Sequence, residues 1–294
     1  MYDKIDFFIP FEFENFGKDK EIPIVIGNLE LKCQEIHNKK YYESFYKKIR
    51  FRLYENGLYI SNSISSIIYG NNTFDLTYLQ LCKAIDEICS IIKQKPSDLQ
   101  INSFEFGLTI PVSIKVKRIL KRLLIHKKKE PKCEYRQTHL TSVKYYHWNY
   151  TLKFYDKAFV EKIERGSDVL KGNWLRSELQ LKKKNIPNHI QTAEDLKNIP
   201  NIKLLFDILI KQWRAVYKMP FINHCEHTKE TLFRIYAISN PLYQEDRLDY
   251  VSKDAVRKEQ QRHKKDLEDV GDFSIFDEID KGLNEKFNSL IIVP

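Results

Sequence analysis

Leu152-Lys153-Phe154-Tyr155-Asp156-Lys157 and Leu175-Arg176-Ser177-Glu178-Leu179 are the stretches that decide how this chain is read. Both alternate apolar and polar residues with a period of two, the mark of a strand with one buried and one open face. Residues 145–158, rich in aromatic and branched side chains, form the first expected strand, and residues 174–182 the second. In the first, Leu152 and Phe154 face a core while Lys153, Tyr155 and Lys157 share the other side. In the second, Leu175, Leu179 and Leu181 oppose Arg176, Glu178 and Gln180.

Working outward, residues 101–112 alternate in the same way, with Phe104, Phe106 and Leu108 on one face and Glu105, Gly107 and Thr109 on the other. Residues 4–9 read as an opening strand that sets Asp6 against Ile5 and Phe7. Residues 49–60 form a strand region broken by the turn signal Glu55-Asn56-Gly57. From Asp75, read as an N-cap, Leu79, Cys82, Ile85, Cys89 and Ile92 recur at helical spacing up to Pro96. A basic helix is expected after residue 113, its apolar side made by Ile114, Ile119, Leu120, Leu123 and Leu124. Residues 159–172 are a charged linker, flexible or partly helical. Beyond Pro187 come a short helix at 192–195, a longer one at 202–217, a highly charged one at 249–269, and a loosely packed segment from Phe273. The expected architecture is α+β: an antiparallel β-sheet flanked by helices over residues 1–186, then a mostly helical region over 187–294.

The formal charge of +9 and a pI near 9.0 favour a polyanionic partner, because cationic side chains neutralise phosphates and release their counterions. Clustering says more than the total. Lys115, Lys117, Arg118, Lys121, Arg122, Lys127, Lys128 and Lys129 follow one another without an intervening acid. A solvated helix face usually mixes both signs, so this run is read as phosphate-contacting, an acidic membrane surface being the lesser alternative. No stretch approaches the roughly 20 apolar residues of a membrane span. The acidic start, Met1-Tyr2-Asp3-Lys4-Ile5-Asp6, is unlike a secretory signal, and five scattered cysteines suit a reducing cytoplasm.

If the strands pair, one sheet surface carries a phenol, two lysines, an arginine and a carboxylate, and the same parity adds Glu105 and Asp6. Such a set has the parts for breaking DNA by transesterification. The Tyr155 hydroxyl attacks the phosphodiester and forms a 5′-phosphotyrosine link. Glu105, Glu178 and Asp6 are the candidate ligands of Mg²⁺ or Mn²⁺, which would polarise the phosphate. Lys157 or Arg176 would stabilise charge growing on its oxygens. Lys153 joins Lys115, Lys117, Arg118, Lys121 and Arg122 as a DNA contact.

The order of segments resembles the replication initiation factors of rolling-circle plasmids and filamentous phages. The similar stretches are Ile60-Ser61-Asn62-Ser63 through Tyr69-Gly70-Asn71-Asn72, the helix from Asp75, Asn102-Ser103-Phe104-Glu105-Phe106-Gly107, and the two strands quoted at the outset. The resemblance covers about residues 1–186. It implies a nickase-like fold and a nicking-joining endonuclease with Tyr155 as nucleophile and Glu105 and Glu178 as metal ligands. The partner it implies is single-stranded or hairpin origin DNA; a host helicase is a further candidate partner. Asp6 is assigned by parity alone, and Asp156 matches the motif while parity turns it toward the core. The chain departs from many such nickases in having no His-x-His. Its histidine-rich spot, His224-Cys225-Glu226-His227, lacks further ligands at zinc spacing, while His139 and His147 precede the key strand as possible DNA contacts.

Two other functions fit the same residues. A conventional metal-dependent nuclease would use Glu178 and Lys182 with Glu105 and leave a free 5′ phosphate. A non-catalytic DNA-binding initiator or regulator would place the basic helix in the major groove. The C-terminal helices would read the origin duplex, dimerise or recruit a helicase, with 249–269 a solvated helix.

Overall fold

The computed structural model describes residues 1–294 apart from 12–15, 17–21, 37–38, 223–227, 240–249, 253, 256, 259–260, 263–266, 268–270 and 293–294. Eleven strands form one antiparallel sheet in the order β2-β3-β4-β5-β6-β1-β7-β12-β11-β10-β9. They are β1 (Tyr2–Pro10), β2 (Ile24–Ile26), β3 (Leu29–Ile36), β4 (Lys39–Tyr46), β5 (Ile49–Tyr54), β6 (Gly57–Ser61), β7 (Gln100–Pro111), β9 (Lys132–Arg136), β10 (His139–Tyr146), β11 (Tyr150–Asp156) and β12 (Trp174–Lys182). The strand β8 (Leu123–His126) lies outside this sheet and pairs with β13 (Val216–Lys218), and β14 (Phe221–Ile222) pairs with β15 (Gly271–Asp272). β1 sits in the middle of the large sheet, between β6 and β7.

Alternation along the strands gives the sheet one apolar face. Phe104, Phe106, Leu108, Leu152, Phe154, Leu175 and Leu179 are all buried there. The helices α1 (Ser65–Tyr69) and α2 (Tyr78–Ile92) follow β6, α3 (Val116–Leu120) follows β7, and α4 (Lys157–Arg165) follows β11. Then come α5 (Ala193–Leu196), α6 (Ile199–Arg214), α7 (Lys229–Ser239) and α8 (Ser274–Ile291). Ile202, Leu205, Leu209 and Trp213 of α6 and Ile279, Leu283 and Phe287 of α8 belong to the same buried cluster as the sheet residues. The region after residue 187 therefore shares the core of the region before it. The segment from Phe273, expected to be loose, is an eighteen-residue helix with six buried apolar residues, because Ile275, Phe276, Ile279, Leu283, Phe287 and Leu290 recur at helical spacing. Phe287 stacks on Phe206 of α6 at 3.9 Å.

Two further expectations change, the single strand over 145–158 and the long basic helix, while the linker after β11 is partly helical as expected. The stretch 145–158 is not one strand: His147-Trp148-Asn149 turns the chain, with His147 N donating to Tyr150 O, so Tyr145 and Tyr146 end β10 and Tyr150 opens β11. The linker after β11 is helix α4 over its first half, and Asp156 is its N-cap, accepting from Phe159 N at 3.0 Å. The second Asp156 oxygen lies 3.2 Å from His139 Nε2, and His139 stacks on Phe159 at 3.9 Å. The aspartate of the Tyr-Asp-Lys motif thus starts a helix. Asp156→Ala is expected to cost about 1 kcal/mol of stability, read by urea denaturation, with cation binding at the neighbouring carboxylates unchanged.

The basic run also folds differently. The helix there spans five residues and the chain then enters β8, because Leu123, Leu124 and Ile125 continue apolar past the helix end. The expected charged helix over 249–269 and the histidine-rich spot 224–227 fall wholly or largely outside the described residues. Among the described residues no helix is long and apolar enough to cross a membrane.

Candidate active site

Strand register builds the site. On the open face Tyr155 of β11 faces Arg176 of β12, Lys153 faces Glu178, and Glu178 in turn faces Gly107 of β7. Cross-strand partners project to the same side of a sheet, so these side chains meet. The Tyr155 hydroxyl donates to Glu178 Oε1 at 2.9 Å, and Lys153 Nζ stands 3.1 Å from Glu178 Oε2 and 4.3 Å from the Tyr155 ring centre. One oxygen from each of Asp3, Glu105 and Glu178 lies within 4.8 Å of the others. The group lines a depression of about 630 Å³ that also takes in Ser142, Lys144 and Lys157.

Asp3 takes the place expected for Asp6. The pairing of β1 with β7 slips between Tyr2 and Ile5, and this irregularity reverses the parity read from Ile5 and Phe7. Asp3 is turned to the acidic centre and fixed by Ser63, whose hydroxyl donates to Oδ1 at 2.6 Å. Asp6 accepts instead from Ser103 Oγ and lines a separate depression on β1, β5 and β6. Gly107 gives Glu178 its space: a Cβ there would sit 2.7 Å from Glu178 Cγ and 2.5 Å from Ser177 O.

Arg176 is a positioning residue. Its side chain is 2% exposed, and its guanidinium donates to Glu178 Oε1, to Asp75 Oδ1 at 2.8 Å and to Thr109 Oγ1 at 2.9 Å, with Asp3 Oδ2 at 3.4 Å. These contacts engage four of its five N–H groups, and the side chain lies beneath the depression rather than among its lining residues, so it holds the carboxylates in place from below. Asp75, expected as an N-cap, is this buried partner and also accepts from Thr109 N; the cap of α2 is Thr77, in a reciprocal box with Gln80. Lys157 is likewise enclosed, 2.8 Å from both Asn72 O and Glu161 Oε1. Lys153, a third exposed, is the cation at Glu178 that a bound phosphate can still reach.

The electrostatics divide the acids. Burial opposes ionisation of Glu178, but Arg176 and Lys153 outweigh it and hold the carboxyl well below its ordinary range. Burial, reinforced by the Glu178 charge, pushes Glu105 up to about 7. Burial and Glu178 also raise the Tyr155 phenol well above its usual value, so it rests protonated and donates its hydrogen. Three carboxylates are the hard oxygen donors that Mg²⁺ and Mn²⁺ prefer, so the set fits a divalent cation. A ligand must be ionised to bind, so Mn²⁺ affinity is expected to rise as pH rises through about 7, with release of a proton from Glu105. Calorimetry in two buffers of different ionisation enthalpy reads that proton; affinity flat from pH 6 to 8 would contradict it. The sign for folding is opposite: a carboxyl raised in the native state lowers stability as pH climbs from its unfolded value toward 7.

The basic run lies away from this face. Arg122 Nη1 donates to Pro220 O, and Arg118 and Arg122 both stack on Phe221. Phe221 meets Phe276, which meets Trp213, which meets Phe154 on the apolar side of the sheet. Lys115, Lys117, Arg118, Lys121 and Arg122 are thus gathered over the helix-covered face, and the open face has its own cations. Lys132, Lys144 and Lys153 stand opposite one another on β9, β10 and β11. His139 and His147 are held by Asp156 and His126. No protein-family model matches the chain, and no curated protein matches it either.

Proposed function

We propose that this protein is a metal-dependent DNA nickase of the rolling-circle initiator kind, which cuts one strand by tyrosine transesterification. One observation carries the reading: a buried phenol hydrogen-bonded to one of three converging carboxylates, with a lysine over its ring. The resemblance of the Tyr155 and Glu178 strands to those initiators agrees with it, as does an antiparallel sheet that displays both.

The Tyr155 oxygen would bond to the scissile phosphorus while the bond from phosphorus to the 3′ oxygen breaks. The phenolic proton passes by way of Glu178 to the departing 3′ oxygen, which leaves as a hydroxyl. The phosphotyrosine keeps the energy of the broken diester, so the strand can be rejoined. A divalent cation on Asp3, Glu105 and Glu178 would polarise the phosphate and favour the ionised phenol. Lys153 would neutralise a phosphate oxygen, and Arg176 keeps Glu178 and Asp3 aligned without touching substrate.

The test is incubation of single-stranded oligonucleotides with the protein and Mn²⁺. The expected product is a denaturant-resistant adduct that retains label at the 3′ end of the DNA, with a free 3′ hydroxyl on the other fragment. A second reading, hydrolysis by the same carboxylates with Lys153 as the nuclease lysine, is favoured by the 3.1 Å Lys153–Glu178 contact. It predicts cleavage with a free 5′ phosphate and no adduct. Lys182 fits that role less well, since it pairs with Ser103, four residues along β12 from Glu178. A purely DNA-binding regulator reading loses its recognition helix, as α3 is little more than one turn.

A further inference from the structure

The open face carries a second feature outside the carboxylate centre. On β5, β6 and β1, Arg52 faces Tyr59 and Tyr59 faces Phe8. The Tyr59 ring centre is 4.8 Å from that of Phe8 and 5.4 Å from that of Tyr54. These rings are only half-buried, although they lie on strands whose opposite faces (Phe7, Phe51, Leu53, Ile60) are fully buried. Tyr54 and Tyr59 border a depression of about 570 Å³ whose polar lining includes Asp6, Asn56, Asn102 and Arg52.

We infer that this depression is a subsite for an unpaired nucleobase of the DNA strand, stacked on Tyr59, with Tyr54, perpendicular to that ring, against its edge, and read by Asn102 and Asp6. The inference rests on the proposed DNA substrate. A nucleotide presents the π-face of its base, a row of donors and acceptors along the base edge, and a phosphate, and the lining supplies a counterpart to each. Aromatic rings on an open sheet stack bases of any sequence, and amide and carboxylate groups hydrogen-bond their edges. Arg52, held by Glu43 through Nε and lying over Tyr41, brings positive charge to the rim, as do Arg50 and Lys4. The charges suit a strand crossing the sheet: cations flank the acidic centre on this side and, at Lys132, Lys144 and Lys153, on the other. β6 lies three strands from β12, roughly 15 Å at the spacing of sheet neighbours, so one strand can span both places. In duplex DNA the base faces are hidden, and the subsite therefore selects single strands.

The experiment uses the full chain carrying Tyr155→Phe, without metal, so that binding is read apart from cleavage. A single-stranded oligonucleotide of roughly 12 residues containing iododeoxyuridine is photo-cross-linked, and the attachment points are mapped by mass spectrometry. Cross-links at Tyr54 or Tyr59 are expected. Tyr59→Leu should weaken single-strand binding on the order of 10-fold, with Tyr59→Phe near the parent and duplex binding unchanged. Cross-links confined to other residues, or equal affinity after Tyr59→Leu, would overturn the subsite. Mapping uses an intact Tyr59, so instability of the leucine variant does not blunt it. Cross-linking here without any adduct from the unmutated chain would sink the nickase reading alone, and adduct formation without these cross-links would sink the subsite alone.

Discussion

Tyr155→Phe is expected to eliminate the covalent protein–DNA product while leaving the fold and the cation site in place. The change removes one oxygen, the only atom of the side chain that can form a bond to phosphorus. Removing a nucleophile outright lowers turnover by on the order of 10⁴-fold or more. Glu178 Oε1 keeps its bond from Arg176, so the buried carboxylate is not orphaned. The stability change should then stay near about 1 kcal/mol, and Mn²⁺ titration should match the parent. Adduct formed at normal rate by the phenylalanine variant would move the nucleophile elsewhere. Normal cleavage without adduct would instead identify water as the attacking group.

The second large effect concerns stability. Arg176→Met removes the cation that Asp3, Asp75 and Glu178 share in a setting of almost no solvent exposure. Deleting one partner of a buried ion network leaves uncompensated charge and typically costs about 3–5 kcal/mol. Urea denaturation should show that loss as a lower midpoint. Arg176→Lys should recover little, because one ammonium cannot reproduce a fork that meets Glu178, Asp75 and Thr109 at once. The pH dependence gives an independent check. Asp75, where burial is outweighed by the Met1 amino group and Arg176, and Glu178 are both held near 2 in the folded chain. A depressed carboxyl contributes stability above its unfolded value, lost as pH falls from about 4.5 toward 2. In Arg176→Met this dependence should flatten or reverse. A variant as stable as the parent at pH 7 would show that the network is dispensable.

Much of the sheet was legible because alternation is a direct consequence of strand geometry. Phe104, Phe106 and Leu108 read correctly as buried, and the common side of Tyr155, Lys153 and Glu178 follows from the same parity. Asp3 was hidden because one irregularity in β1 reverses parity, and a period-two reading has no sign of it. Asp75 could have been separated from the true cap: Thr77-Tyr78-Leu79-Gln80 is a capping-box pattern, and it leaves Asp75 outside the helix. The strands β2 to β4 went unread although β3 carries the signal: Leu29-Glu30-Leu31-Lys32-Cys33 alternates with period two, and Leu29 and Leu31 are buried. The part played by Arg176 was beyond reach as well, since an arginine's partners come from strands and loops that local sequence does not bring together.

The position of β1 bears on when the carboxylate centre comes into being. Asp3 lies on a strand whose neighbours are β6 and β7, while Glu178 arrives only with β12. During synthesis β1 must wait for distant partners, and pairings of such long range are slow to form. A nascent chain stopped before β12 holds neither the arginine nor the last carboxylate, so the centre stays incomplete until the last strand of the large sheet has left the ribosome. For a protein that would cut the template it acts on, late assembly keeps incomplete chains harmless.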